Sequence, residues 1–466
     1  MRVSSVFMAI FCRMRSQSRF SFFYEPSQLE EAADTLLQMA RDQGATDAAV
    51  EVSEHSGLSV TARMGQLETI ERTRDRAASI TVYRGHRKGH ATSADLRADA
   101  LLETVRRAAD LASFTAEDPF SGLPDAEDLE MKPQPLDLFR PWNIQADAAA
   151  RLALECEAAA RALSPLIRNS DGASVSANHG QFVMANSRGF MGGFPTSRHW
   201  LSVAPIAQQG EHMQRDDWYS TSRDPGALAD PRQIGEYAAR RALARLGARR
   251  IPTMTCPVIF EAPLAIGLVG ALVQALSGSA LYRRASFLLD SLGETIFPEH
   301  IALDEDPFLP LGAGSSPFDD EGVKVKARRV IDAGRVEGYF LSSYSARKLG
   351  LRTTGNAGGS HNLHLTSRET RKGKGLDHLL KTMGRGLLIT EVMGQGVNGL
   401  TGDYSRGVFG YWVEGGVIQH PVEEVTVAGN LKDMFRGIVA VGADEVTRGN
   451  KTSGSILIDS MTIAGA

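Results

Sequence analysis

Cysteine is scarce in this chain of 466 residues: only Cys12, Cys156 and Cys256 occur, no two of them in a CxxC spacing. That excludes a disulfide framework and a cysteine-rich zinc module, and it fits a reducing, cytoplasmic setting. A charge excess is missing too. The formal net charge is −4, which gives no general pull toward nucleic acid or an anionic membrane surface. The longest apolar run, 262–276, falls short of the roughly 20 residues that span a bilayer. The glycine clusters at 312–314 and 394–396 lack the Lys-Ser/Thr or the following helix of a phosphate loop. There is no internal repeat and no long low-complexity tract. What remains is enough chain for two or more domains with sizeable cores.

Residues 1–25 hold a short apolar run, Val6 to Cys12, followed by Arg13 and Arg15 rather than by a small-residue cleavage site. This stretch is expected to be a disordered extension or the product of a start codon set too early. Residues 26–118 read as one α+β domain. A helix over 27–41 has Ser27 as its N-cap and Glu30 completing a capping box. Short strands follow at 48–53, 57–62, 67–72 and 77–83, and Ser93-Ala94-Asp95 caps a second helix through Leu111. Residues 119–145, rich in proline and acids, read as a linker. Residues 146–250 continue the N-terminal domain with a helix over 146–163, a meander of short strands and a helix over 232–246. Residues 251–466 read as β-rich around a central apolar helix, 262–276, in which Pro263 suits the first turn. Gly267, Ala271, Gln274 and Gly278 share one small face, where another backbone is expected to pack closely. The fold class is α+β: an N-terminal α/β unit with antiparallel strands and a C-terminal β-rich domain around that helix.

The stretch 386–436 carries the densest pattern. A buried strand over 387–392 leads into the glycine-rich loop 393–399. A strand over 408–414, a Glu-Gly-Gly turn and a returning strand at 417–422 form a hairpin, and Asn430 caps a short helix. Residues 401–407 form a polar loop. Gln395, Asn398, Asp403, Tyr404, Ser405 and Arg406 are the candidate contacts to a peptide or partner, since loops carry function more often than cores do. As a structural turn, the same loop has Asp403 accepting backbone N–H groups, Arg406 pairing with a carboxylate and Tyr404 packing. Ser405 lacks the G-x-S-x-G spacing of a nucleophile elbow. The runs MGQGVNGLTGDYSRG, FGYWVEGG, HPVEEVTVAGNLKDM and SGSILIDSMTIAG resemble the TldD/PmbA family, and within it the PmbA/TldE branch. The resemblance runs from about Ser27 to the end of the chain.

In the TldD branch the corresponding helix carries two histidines five apart, a glutamate just after the first, and a third zinc ligand, a cysteine near the C-terminus. Zinc and a carboxylate base together activate a water for attack on a peptide carbonyl. On this chain the histidine positions become Val269 and Gln274, the glutamate position Gly270 and the cysteine position Ser453. No His or Cys lies between 262 and 280. The resemblance therefore implies a non-catalytic subunit with no catalytic residue, metal ligand or cofactor of its own. Its zinc-bearing TldD-like partner supplies the chemistry, and unfolded peptide is the substrate. The family is associated with maturation of peptide-antibiotic precursors and breakdown of an antitoxin, and it has an older label, modulator of DNA gyrase. Two alternatives stay open. One is an autonomous metalloprotease using His361, His364, Asp403 and Glu391; the other is a non-proteolytic binding protein. Against the first, His361 and His364 also read as polar histidines of a loop and strand, where positions three apart face opposite ways. The basic runs at Arg347, Lys348 and Arg352 and at Arg371, Lys372 and Lys374 read as solvated faces.

Overall fold

The computed structural model describes residues 20–465, and most of the N-terminal stretch discussed above lies outside them. Its last residues pack onto the domain. The Phe20 ring sits 4.1 Å from His179 and Phe22 sits 5.5 Å from Phe139. The Phe23 and Tyr24 N–H groups donate to the Glu54 carboxylate.

The first unit is one twisted antiparallel sheet. Its strands are β1 (Asp47–Arg63), β2 (Gln66–Arg84), β3 (Arg87–Ser93), β4 (Ile167–Asn186), β5 (Met191–Gln209), β6 (His212–Arg215) and β7 (Trp218–Ser222), ordered β3-β2-β1-β4-β5-β6 with β7 also on β5. The separate short strands read at 48–53 and 57–62 are one strand, because β2 and β4 pair with β1 straight through Gly57. Side chains alternate, so one face takes the even positions of β1. Helices α1 (Pro26–Asp42) and α2 (Ala98–Phe114) bury Leu36 and Val105 against Val50, Val52 and Ile80. Helices α3 (Ala146–Ala162) and α4 (Pro231–Ala244) bury Ala153 and Ile234 against Val60, Val175 and Leu201 further along the same face. The cap of α1 is Glu25, not Ser27, with Gln28 completing the box and Pro26 opening the first turn. No helix among α1–α4 covers the other face. Its register places Ser59, Ser176 and Trp200 in one row and Gly57, Asn178 and Arg198 in the next.

The expected linker is a fixed strap. Leu123, Leu129 and Leu138 are buried, and its acids meet basic side chains that the sequence suggested were solvated. Arg352 pairs with Glu127 and Asp128, Arg347 with Asp125, and Lys348 with Asp118. The partners lie more than 200 residues apart, so local composition could not show the pairing.

The second unit begins with β8 (Met254–Phe260), α5 (Ala262–Ala275) and α6 (Gly278–Tyr282), then β9 (Ile301–Asp306), β10 (Arg328–Asp332), β11 (Arg335–Val336), α7 (Ser343–Leu349) and β12 (Asn362–Ser367). There follow α8 (Leu376–Met383), β13 (Gly386–Met393), β14 (Asp403–Glu414), β15 (Val417–Asn430), α9 (Leu431–Arg436), β16 (Ile438–Val441), β17 (Val446–Arg448), β18 (Lys451–Ser453) and β19 (Ile456–Ala464). One sheet runs β11-β10-β9-β12-β18-β17 and the other β15-β14-β13-β8-β19-β16. In the latter β15 also pairs with β19 through Thr426–Ala464 and Val427–Ile463, closing five strands into a small barrel. Gly415 and Gly416 take positive φ in the β14–β15 turn, as the Glu-Gly-Gly pattern requires. One core joins barrel, α5 and the second sheet through Phe260, Leu272, Leu303 and Ile389. No helix among the described residues is long and apolar enough to cross a membrane.

Candidate functional site

Helix α5 leaves β8 at Glu261 with Pro263 in its first turn. Its first N–H, on Ala262, donates to Ser455 Oγ at 2.9 Å, and that hydroxyl donates to Asp444 Oδ2 at 2.6 Å. The helix is not enclosed all round. Ala265, Leu268, Val269 and Leu272 are buried, whereas Gly267 and Gln274 are exposed. A Cβ built at Gly267 or Gly270 meets nothing within 4 Å. The close approach expected along the small face occurs only past the helix end. There, a Cβ on Gly278 would come 2.2 Å from Ser345 Oγ of α7.

Val269, Gly270 and Gln274 lie on α5, and Ser453 lies on β18. Val269 is 3% exposed and part of the core, while Gln274 points outward; in an unbroken helix those positions are about 140° apart. Ser453 is fully buried on β18, and its hydroxyl donates to the Gly454 carbonyl at 3.0 Å. The donor set does not fit zinc. Among the described residues no group of three or more His, Cys, Asp or Glu side chains is placed to hold a metal ion.

The alternative set is dispersed. His361 is buried with Nδ1 3.2 Å from Gly314 O and Nε2 2.9 Å from Gly355 O, and its N–H donates to Glu305. His364 faces Glu445 at 2.9 Å on the surface. Glu391 pairs with Arg245. Asp403 accepts from the Thr401 hydroxyl at 2.6 Å and from Asn430 Nδ2 at 3.2 Å. Those two bonds, Thr401's first, hold its carboxyl below the usual range.

The polar loop also lies differently from the sequence reading. Asp403, Tyr404, Ser405 and Arg406 belong to β14, because pairing with residues 427–430 of β15 overrides the flanking glycines. The true loop is 394–402, docked on β14 by Ser405 N–H to Gly396 O at 2.7 Å and Asn398 N–H to Asp403 O at 2.8 Å. Arg406 donates to the Gly394 carbonyl rather than to a carboxylate. Asp403 accepts side-chain donors rather than backbone N–H groups. Tyr404 is buried, its hydroxyl pushed up to about 12 by that burial, so it is not a surface contact. Gln395, Asn398 and Ser405 are exposed. So are Met393 at the end of β13 and Val397 and Leu400 of the loop, each more than 40% exposed, which the emphasis on polar residues passed over.

Beside α5 lies a cavity of about 300 Å³ at the junction of the two units, lined by Pro263, Leu264, Arg241, Arg245, Asp217 and Arg448 among others. Arg241 reaches Glu261 at 2.8 Å and Asp216 at 3.3 Å, and Arg245 reaches Asp216 at 3.5 Å as well as Glu391. Arg245 also stacks 3.8 Å from the Phe409 ring centroid. Nothing in the local sequence marks these residues, since the cavity gathers side chains from five separate segments.

Three family models match in succession: PmbA/TldA metallopeptidase domain 1 over 48–112, the central domain over 139–246 and the C-terminal domain over 253–465. The chain is 46% identical to Metalloprotease PmbA of Escherichia coli O157:H7 over 438 residues, 94% of this chain and 96% of that one. A Bacteroides thetaiotaomicron crystal structure, described as a candidate modulator of DNA gyrase, superposes with a TM-score of 0.88. It has 25% identity over 94% of this chain and 99% of that one. TldE from Thermococcus kodakarensis shares the fold, with a TM-score of 0.80 and 20% identity over 93% of this chain and all of that one.

Proposed function

The chain belongs to the PmbA/TldD metallopeptidase family, and we propose that within it this subunit holds unfolded peptide for a zinc-bearing TldD-like partner, in the cytoplasm, without supplying a catalytic group itself. The observation that carries the reading is helix α5. Where the family's metal chemistry is sited, this chain has a buried valine, an open glycine, an outward glutamine and a buried serine. The exposed apolar side chains of Met393, Val397 and Leu400, next to the polar Gln395, Asn398 and Ser405, suit contact with a partner or an extended peptide. Peptide maturation or degradation follows as the activity of the pair, with zinc and the attacking water in the partner.

The test is zinc content and proteolysis of an unfolded protein such as casein. It is run on this chain alone, on a TldD-like protein from the same source alone, and on their mixture. Cleavage only in the mixture, with zinc following the TldD-like protein, is the expected result. Stoichiometric zinc and cleavage by this chain alone would overturn the reading. Unaltered cleavage by the TldD-like protein whether or not this chain is present would also overturn it.

A further inference from the structure

Most cations at the junction of the two units are neutralised. Arg241 and Arg245 share Asp216, Glu261 and Glu391, and Arg215 takes Asp171 at 2.9 Å. Two cations on the hairpin β17–β18 are not. Arg448 reaches the edge of β7, its guanidinium carbon 3.7 Å from the Tyr219 ring centroid and 4.5 Å from that of Trp218. Among the described residues its one hydrogen bond runs from Nη1 to the Tyr219 carbonyl at 3.3 Å, which leaves most of a guanidinium's five N–H donors unused. Lys451 stands directly opposite Arg448 across the hairpin, so the two side chains leave the same face of the ribbon. Its Nζ donates to Asn450 Oδ1 at 2.8 Å, and neither cation has a carboxylate partner among the described residues. Burial pushes the Lys451 ammonium down, as it does for a cation desolvated without a counter-ion. The ring under Arg448 is itself stacked on Trp200 at 4.0 Å. Arg198, two residues before Trp200 on the same face of β5, likewise lacks a carboxylate partner among the described residues and bonds Thr221. Arg448 lines the cavity that Pro263 and Leu264 of α5 also line. Of the acids there, Asp217 is left outside the ion pairs, and its carboxyl is raised by burial and by Asp216.

We propose that Arg448 and Lys451 form a carboxylate-binding subsite, which receives a carboxylate of the extended peptide next to the open face of α5. This rests on the peptide-holding reading above and adds the chemical group that is recognised. A guanidinium held against two aromatic rings is already positioned, so it loses little freedom on binding. A guanidinium and an ammonium on one face of a two-stranded hairpin offer charge-assisted bonds to one carboxylate. A nucleic-acid phosphate chain fits less well, because the two cations make a spot rather than a track, in a chain whose net charge is −4.

The experiment uses the full chain and a fluorescein-labelled, unstructured Gly/Ser/Ala peptide. The peptide is made with a free or amidated C-terminus and with one internal Glu or Gln, and anisotropy is read at low salt. Removing the recognised carboxylate, terminal or internal, is expected to weaken binding about tenfold. That preference is expected to vanish in Arg448→Gln and in Lys451→Gln. The second variant leaves Arg448 in place against its rings and so separates recognition from hairpin packing, and thermal melting checks that both fold. Equal binding of all four peptides would overturn the proposal while leaving the peptide-holding reading intact. A preference that persists in both variants would do the same. Failure to bind any of the four would overturn both. Tighter binding of a single-stranded oligonucleotide than of any peptide would also overturn it.

Discussion

Arg241 and Glu261 meet as a two-pronged pair, Nη1 to Oε1 at 2.8 Å and Nη2 to Oε2 at 3.1 Å. The pair ties α4, the last helix of the first unit, to the residue that starts α5 in the second. Both side chains are largely buried, about 14% and 13% exposed. Glu261→Gln leaves a buried guanidinium short of charge and is expected to cost about 3 kcal/mol. The measurement is the denaturant midpoint. Adding Arg241→Met should recover part of the loss, since an interior charge is then no longer stranded. A midpoint within error of wild type in the single variant would mean that the junction is held elsewhere.

His179 contributes stability that is lost on mild acidification. His179 accepts the Trp142 N–H at 3.0 Å, and its pKa is pushed down to about 4, by burial first and then by neighbouring His199. The unfolded chain takes up that proton near 6.5 and the native state only near 4. The stabilisation is therefore complete above pH 6.5, is lost as the pH falls toward 4, and changes no further below that. The full excursion is worth about 3 kcal/mol. Burial raises the Asp319 carboxyl to about 7 and acts in the opposite direction over the same range, so urea unfolding at a series of pH values should show the His179 contribution as the difference in slope between wild type and His179→Gln. An unchanged slope in the variant would assign the effect to other groups.

Gly270 is a helical glycine with free space where a methyl would go. Gly270→Ala should raise stability by up to about 1 kcal/mol, the usual gain in a helix interior. The melting temperature of the isolated chain reads this directly. A drop instead would mean that the face of α5 is closely covered in solution.

Gly396 is the opposite case. A Cβ there would lie 1.6 Å from the Ser405 carbonyl oxygen, so Gly396→Ala must lift the loop 394–402 off β14. A loss of more than about 2 kcal/mol is expected, together with faster proteolytic nicking between Met393 and Thr401. A variant as stable and as protease-resistant as wild type would show that the loop is not docked this way.

The elements legible in the sequence were those whose signal is local. The run 262–276 announced α5 by its apolarity, Asn430 announced α9 by its capping side chain, which accepts the Lys432 N–H, and Glu-Gly-Gly announced the β14–β15 turn. The misplaced elements depend on partners far away in the chain. Asp403 to Gly407 read as loop because Gly402 and Gly407 are turn residues, yet β15 holds them as strand. Barrel closure through Thr426 and Ala464 has no local mark. Of the site, the residue types at 269, 274 and 453 are read from the sequence alone. That Val269 and Gln274 also face different ways needed the unbroken helix, and the spot formed by Arg448 and Lys451 needed both the hairpin register and the rings of β7.

β1 and β4 run unbroken under both helix pairs, so α1 and α2 at one end and α3 and α4 at the other end of the same face share the same backbone ladders. The matched stretches 48–112 and 139–246 are therefore not interchangeable cassettes. A recombination event that joins the first from one relative to the second from another must reconcile fourteen residue pairs between β1 and β4 at once. Such exchanges should survive only between close relatives or when both segments travel together, which makes the two-segment sheet, rather than either segment, the piece that inheritance can shuffle.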